Sequence, residues 1–340
     1  MTGRIASIRA WMASRGPLLQ HLDSRAAWEA ARETGHRVGG STVPCLMGVG
    51  FESPWTLWLR ASGTPWPGPD KAALFAEGHA WEGFILDLYA EATGTVVHPL
   101  TDTLAIDPVD SWAVGSFDGL VFDGELGGVD AKTDRTGEHV LGSGVIEPGD
   151  DSSTLLAPVY LCQMQHYLTV SGLPWWDVAA VCLPAPVITD GALLLTLAAR
   201  LPEHPPELTD LVARLRRRAA SSLRIVRVMR DERAQDLLRR AVRDRRQRWL
   251  IDLEEPPIDD STAARHAQAR PGLAAVRRAT PAQFNAAADL AWRRRQLDAL
   301  EADYRTAQTT FIANMGARKI VGDSWTAVHT TNHQLRIRGL

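Results

Sequence analysis

The feature that most narrows what this chain can fold into is a pair of strand-like runs near its middle. WAVGSFDGLVF (112–122) and GGVDAKT (127–133) flank Asp123-Gly124, a turn-forming dipeptide. Strand side chains alternate between faces, so Asp130 and Lys132 point the same way. Asp118 on the neighbouring run meets them if the hairpin register allows. Two carboxylates and an ammonium then gather near one end of a sheet. Hard carboxylate oxygens suit Mg2+, with Mn2+ able to substitute, and such ions keep water ligands and accept phosphate oxygens. A metal-bound water with a lysine nearby can attack phosphorus. Taken alone, D-x-K equally fits an Asp–Lys pair on a surface hairpin. The lysine itself carries information, because Lys71, Lys132 and Lys319 are the three lysines among 37 basic residues. Lysine is a compact charge whose pKa can fall, whereas arginine does not deprotonate.

The flanking segments supply the rest of a mixed α/β domain. A polar helix is expected over 24–34, then a glycine turn, a short helix, a Ser-Pro break at 53–54 and another helical turn within 39–63. Residues 77–93 carry Trp81, Phe84, Ile85, Leu88, Tyr89 and Ala92 on one stripe, and Gly94 closes that helix. A Gly-, Asp- and Ser-rich loop over 140–155 precedes a helix at 157–171 and a strand at 177–183. Further on, 190–222 read as a helical insertion, 223–229 as a strand, 231–250 as an arginine-rich helix and 254–272 as a linker. A long, partly heptad-patterned helix over 281–314 and a small β-hairpin complete the chain. The expected divisions are an N-terminal helical segment (1–36), a core (37–258) and a C-terminal helix with β tail (259–340).

Glu82 flanks Trp81 at the edge of the 77–93 stripe, where it reaches the sheet end or remains a solvated helix acid. Gln163 sits inside the apolar stripe Tyr160, Met164, Tyr167, Leu168. A polar amide on a buried stripe needs partners, so it is either a satisfied core glutamine or a group facing the site. Gln165 occupies the neighbouring face.

Composition excludes several classes. With 45% hydrophobic and 23% charged residues the chain is ordinary globular protein, and no run approaches the roughly 18 apolar residues that span a bilayer. The N-terminus lacks an apolar secretory core, which places the protein in the cytoplasm. Cys45, Cys162 and Cys182 are too few and too dispersed for a four-cysteine iron–sulfur cluster. His329 and His333 lack a nearby acid to complete a zinc hydrolase motif. Net charge is −3, yet 214–248 holds a dense arginine series; its Arg214–Arg218 cluster either touches DNA or solvates a helix. The tryptophans, among them Trp55, Trp58, Trp175 and Trp176, are expected in the core and at interfaces.

Five motifs in order resemble the YqaJ-type viral recombinases, related to the phage lambda-type exonucleases of the PD-(D/E)XK nuclease superfamily. They are GGSTVPCLMGVGFESPWTLW (39–58), GHAWEGFILDLYAEATG (78–94), SFDGLVFDG (116–124), GVDAKT (128–133) and VYLCQMQHYLTVSGLPWWDVAAV (159–181). The resemblance implies a restriction-endonuclease-like core with a central mixed sheet flanked by helices. It implies Asp118 and Asp130 as metal ligands, Glu82 as an outer acid and metal ligand, and Lys132 as the residue that activates water or stabilises charge. Gln163 would stand near the active site, while Ser41, Arg37 and Gln165 would lie against DNA phosphate, with Arg32 competing for the role of Arg37. The acid of D-x-K is aspartate where many relatives carry glutamate, one methylene longer. The implied activity is Mg2+-dependent 5′-to-3′ resection of linear duplex ends, in a ring of subunits such as a trimer, with a RecT-like single-strand annealing partner. The rivals are a non-cutting DNA-binding scaffold and a structure-specific endonuclease or nickase of the same fold.

Overall fold

The computed structural model describes residues 2–33, 36–65, 68, 71–135, 140, 156–201, 203–264, 281–315, 319–321, 326–329 and 335–338. The chain divides into two compact units, Met1–Arg270 and Pro271–Leu340.

The first unit opens with α1 (Thr2–Arg15), a short strand β1 (Leu19–His21) and α2 (Arg25–Glu33). The glycine turn leads into α3 (Thr42–Leu46) and α4 (Pro54–Ala61). α4 begins where expected, because the Ser53 side chain accepts the Thr56 N–H at 3.3 Å and Pro54 occupies the first turn. α5 (Ala72–Thr93) starts a turn earlier than its apolar stripe and stops at Gly94, which takes φ 65°. β2 (Val97–Pro99), β3 (Thr103–Ile106) and β4 (Val114–Gly115) follow, then the hairpin β5 (Gly119–Asp123) and β6 (Glu125–Asp134). After these come α6 (Pro158–Ser171), β7 (Trp175–Cys182), α7 (Ala185–Arg200), α8 (Pro206–Ser222), β8 (Leu223–Met229) and α9 (Glu232–Arg245), the last continued by a π turn over Arg246–Ile251.

A five-stranded sheet of order β2-β5-β6-β7-β8 positions the site. β5 and β6 pair antiparallel about Gly124, whose φ is 72°, as the Asp123-Gly124 turn requires. β7 lies parallel to β6, with α6 as the crossover, and β8 closes the edge antiparallel. α6 covers one face through Tyr160, Met164, Tyr167 and Leu168 against Phe117, Leu120, Trp176 and Val178. α5, α7 and α8 cover the other through Trp81, Ile85, Tyr89, Ile188 and Ala219 against Val129, Trp175 and Ala179. The Gly127-Gly128 pair in β6 has a packing reason: a Cβ on either would lie 2.2–2.5 Å from the ring of Trp175 or Trp176 in the adjacent strand. This order of elements is the mixed α/β core with flanking helices that the motifs imply.

Several expectations are corrected. The run 112–122 is not one strand. β4 pairs with β3 in a separate sheet of order β1-β3-β4, because the chain bends so that the Phe117 ring packs on Gly115. Within the first unit, β1 pairs with β3 and Ile8 is buried in the core beside α6. Ala263 and Ala264 pack on Trp55 and Leu59 within the first unit. The insertion 190–222 is part of the α5 layer, and its first helix begins at Ala185. Most of the 140–155 loop, the end of the 254–272 linker and His333 lie outside the described residues.

The second unit contains α10 (Pro281–Met315) and three strands, β9 (Lys319–Val321), β10 (Thr326–His329) and β11 (Leu335–Arg338). β10 pairs antiparallel with both neighbours, so the tail is a three-stranded sheet and not a hairpin.

Candidate active site

The hairpin register brings the acids together. Gly119 is paired with Val129, so Asp118, just before β5, lies beside the Asp130–Lys132 stretch of β6. One Asp118 carboxylate oxygen accepts the Ala131 N–H at 2.7 Å. Asp130 is buried at 1% exposure and accepts from the Lys132 ammonium, which also lies 3.3 Å from the Ala131 carbonyl oxygen. In register Asp130 pairs with Val178 of β7, whose side chain packs on the α6 face. Asp130 and Lys132 therefore point toward α6.

The electrostatics are those of crowded charge in a dry place. Burial, and then the neighbouring Asp130 carboxylate, holds the Asp118 carboxyl well above the usual carboxylate range, with Glu82 adding in the same direction and Lys132 opposing. For Lys132, burial works against the charge, but Asp130 and Asp118 outweigh it and keep the ammonium form. Its Nζ lies 5.8 Å from the centroid of the Tyr160 ring. Tyr167 has its hydroxyl pKa raised by burial and by Asp130.

Gln163 is on the site side of α6, where its amide donates to the Tyr167 hydroxyl at 2.9 Å. Tyr167 in turn supports the glycine turn, since a Cβ on Gly40 would meet Tyr167 Cε1 at 2.4 Å. Ser41, exposed and immediately before α3, is thereby held on a loop packed against the site's own tyrosine. Glu82 on α5 is part-exposed, 3.4 Å from His79 Nδ1, and contributes to the field at Asp118. The upper part of α5 is tied to the end of β6 by Glu77, which pairs with Arg135 and accepts from Thr189 at 2.8 Å.

Two expected phosphate contacts are not assembled here. Gln165 is buried, donates to the Met229 carbonyl at 2.9 Å, and accepts from Asp231 N at 3.3 Å and Gln235 Nε2 at 3.2 Å. Its face of α6 is the one covered by α9, so it ties β8 to α9. Arg37 donates to the Ala31 carbonyl at 2.9 Å, in the last turn of α2, and no described contact joins it to the acids. The side chain of Arg32 lies outside the described residues. Among the described residues, no three His, Cys, Asp or Glu side chains stand together as a ready metal cage. Asp118 and Asp130 are neighbours, and Glu82 is the more distant third.

Tyr160 and Tyr167 were visible in the sequence as members of an apolar stripe, with no sign that they face a charged site. The signal lay in their spacing of two turns, which places both on the side of Gln163. The arginines of 214–248 are largely held by local partners. Arg216 pairs with Glu91, Arg239 and Arg243 with buried Asp107 and Asp110, and Arg248 with Glu254.

Residues 27–174 match the model of the YqaJ-like viral recombinase domain. The matched stretch is less than half of the chain. The matched stretch holds Arg37, Ser41, Glu82, Asp118, Asp130, Lys132, Gln163 and Gln165, whereas α7 to α10 lie beyond it. Among solved structures, the alkaline exonuclease LHK-Exo of Laribacter hongkongensis is similar at 20% identity over 66% of this chain and 93% of that one, with a TM-score of 0.43. A phage-related exonuclease of Haemophilus somnus 129PT is similar at 15% identity over 67% and 87% of the two chains, with a TM-score of 0.37. No curated protein matches the chain. No described helix is long and apolar enough to cross a membrane.

Proposed function

We propose that this YqaJ-like domain is a metal-dependent DNA exonuclease whose reaction centre is Asp118, Asp130 and Lys132. The observation that carries the reading is buried Asp130, paired with the Lys132 ammonium, set beside Asp118, whose charge acts on both. Burying two like charges is unfavourable unless something cationic joins them, and here burial and Asp130 already push Asp118 upward. The donor set is two aspartates with Glu82 behind them, all hard oxygens, which fits Mg2+ or Mn2+ and suits neither zinc nor a soft metal. Asp118 and Asp130 would hold the ion, with Glu82 as the outer acid. When bound, it supplies Lewis acidity toward a phosphoryl oxygen and an acidified water.

The chain's own groups do the rest. Lys132, kept as an ammonium by Asp130 and Asp118, would place positive charge where negative charge develops on the phosphoryl oxygens and could donate a proton to the departing oxygen, regaining one from solvent water. Charge stabilisation therefore suits it better than water activation. The Ala131 N–H fixes the Asp118 carboxylate. Gln163, through Tyr167, holds the α6 side of the site, and Ser41 on the adjoining turn is the proposed phosphate contact.

Polarity, partner and assembly extend this reading. We infer 5′-to-3′ digestion of linear duplex ends for phage-type recombination, leaving a 3′ strand for a RecT-like annealing protein, with a ring of subunits such as a trimer suiting processivity. The deciding assay is Mg2+-dependent digestion of linear and circular duplex, with each end labelled in turn. Release of 5′ label from linear DNA alone is expected. Loss of the circular substrate would replace the exonuclease by an endonuclease or nickase. No digestion of any duplex with metal present would leave a DNA-binding scaffold.

A further inference from the structure

Ser41 rides on a segment that cannot place itself. The helix that follows it, α3, has five residues, too few to hold together in water without outside contacts. The position of Ser41 is therefore set by whatever grips residues 36–47 from around them. On the α6 side Tyr167 packs on Gly40. Val38 is bound on both sides of its peptide, its N–H donating to the Trp112 carbonyl at 2.8 Å and its carbonyl accepting the Val114 N–H at 3.0 Å.

The remaining grips come from α9 and its π turn. Arg245, the last residue of α9, donates from Nη1 to the Leu46 carbonyl at 2.8 Å and lies 3.4 Å from the Met47 sulfur. Arg246, the first of the π turn, donates from Nε to the His36 carbonyl at 2.8 Å. Two consecutive arginines thus hold carbonyls equally far before and after Ser41 in the chain. Both acceptors need such a donor. Leu46 ends α3, where the last carbonyls have no partner inside the helix. His36 has φ 52°, a left-handed backbone that persists in a non-glycine residue only when its surroundings enforce it. Each guanidinium is braced by an aromatic ring, Arg245 5.5 Å from the Trp249 centroid and Arg246 5.5 Å from that of Trp112. Trp249 and Leu250 of the same turn are buried with Val43, Cys45 and Leu46. π turns are rare and concentrate at functional sites.

We propose that Arg245 and Arg246 are positioning residues for DNA binding, fixing both ends of 36–47 so that Ser41 meets a strand phosphate. The proposal rests on the reading of Ser41 as a phosphate contact. These two arginines act through Ser41 and do not touch the strand, although their place in an arginine-rich helix suggests otherwise. Asp118, Asp130 and Lys132 are set by the β5–β6 hairpin instead, so the arginines bear on binding and not on the chemical step.

The test is a double-mutant cycle on binding of a labelled linear duplex without Mg2+. Ser41→Ala should weaken binding about tenfold, the scale of one hydrogen bond to a charged group. Arg245→Ala combined with Arg246→Ala should weaken it by a similar factor, because the same contact is lost. Adding Ser41→Ala to that pair should then cost no more than about twofold, whereas independent contacts would multiply to about a hundredfold. In digestion with Mg2+ the arginine pair should raise KM and keep kcat within about twofold. The slope of log Kd against log salt should stay that of the unsubstituted chain, since direct contacts to phosphate would lower it by about one for each arginine. The single alanine variants, carried through the same cycle, keep the test open where the pair unfolds. Arg248→Ala, in the same turn but paired with Glu254, should bind as the unsubstituted chain does. Unchanged binding in the arginine variants, a multiplied loss, a lowered salt slope or a fall in kcat alone overturns the proposal while leaving Ser41 in place. Unweakened binding by Ser41→Ala removes the phosphate contact itself, and the proposal with it.

Discussion

Replacing Gly40 by alanine isolates the contact between the glycine turn and the site. The backbone there is not left-handed, so alanine meets no conformational penalty and the effect is steric. Its Cβ would stand 2.4, 2.7 and 2.9 Å from Cε1, Cζ and the hydroxyl oxygen of Tyr167. Relaxed carbon–carbon contacts lie at about 3.5–4.0 Å, so the ring must retreat by roughly 1 Å. It cannot do so freely, because its centroid is 5.0 Å from Phe117 and 5.2 Å from Trp176, both buried. Overpacking of this kind costs about 1–3 kcal/mol. The lower entropy of the unfolded alanine chain returns about 0.4–1 kcal/mol, leaving a net loss of about 1–2 kcal/mol. Gly78, in the exposed first part of α5 with nothing within 4 Å of its built Cβ, is the control. Alanine there should stabilise by up to about 1 kcal/mol. The two variants should differ by roughly 2–3 kcal/mol, or about 5–10 °C in melting temperature for a unit of this size. Thermal unfolding followed by circular dichroism reads the difference, and DNA digestion should fall for Gly40→Ala alone. Equal melting temperatures for the two variants would refute the packing of the turn on Tyr167.

Asp118→Asn removes a charge that burial and Asp130 disfavour, so in metal-free buffer the variant should melt higher than the parent while digestion is abolished. A lower melting temperature would argue against charge crowding at the site. Arg239→Ala should cost about 3 kcal/mol in urea unfolding, since it strips partners from Asp107 and Asp110, both buried. A loss under 1 kcal/mol would mean that Arg243 alone satisfies them. His166 is buried, donates from Nε2 to the Val114 carbonyl at 2.9 Å, and has its pKa lowered chiefly by burial. The unfolded chain therefore binds this proton more readily than the folded one, and the stability due to a neutral His166 is present above about pH 6.5 and lost as pH falls below it. Urea midpoints should drop between pH 7.5 and 5.5 and drop less in His166→Gln, whereas equal slopes in parent and variant would exclude this histidine.

Much of the site was legible because its geometry is local. Strand alternation sets Asp130 and Lys132 on one face, and a two-residue turn at Asp123-Gly124 brings Asp118 alongside, so the triad follows from short-range rules. The helix stripe of α6 equally places Gln163 beside Tyr167. What was not legible depends on distant partners. The stripe of α6 sets Gln163 and Gln165 on different faces but does not say what covers the second, which β8 and α9 do from more than sixty residues on. The same holds for Arg239 and Arg243, whose sequence neighbourhood suggests a basic DNA-facing helix while their partners Asp107 and Asp110 lie over a hundred residues upstream. β1 and β4 are too short to show alternation, and their pairing with β3 is a tertiary contact. The strand-like run shows no reason for its opening Gly127-Gly128 pair, which is cut to the rings of Trp175 and Trp176.

The central claim is that Lys132 works with Asp118 and Asp130 on the phosphodiester, and one paired measurement addresses it. Digestion of end-labelled linear duplex with Mg2+ and binding of the same duplex in its absence are compared for Lys132→Ala and the unsubstituted chain. Loss of cutting by at least about a hundredfold, the scale of a group acting in the transition state, with duplex binding retained, is the predicted result. Retained cutting by Lys132→Ala would contradict the account.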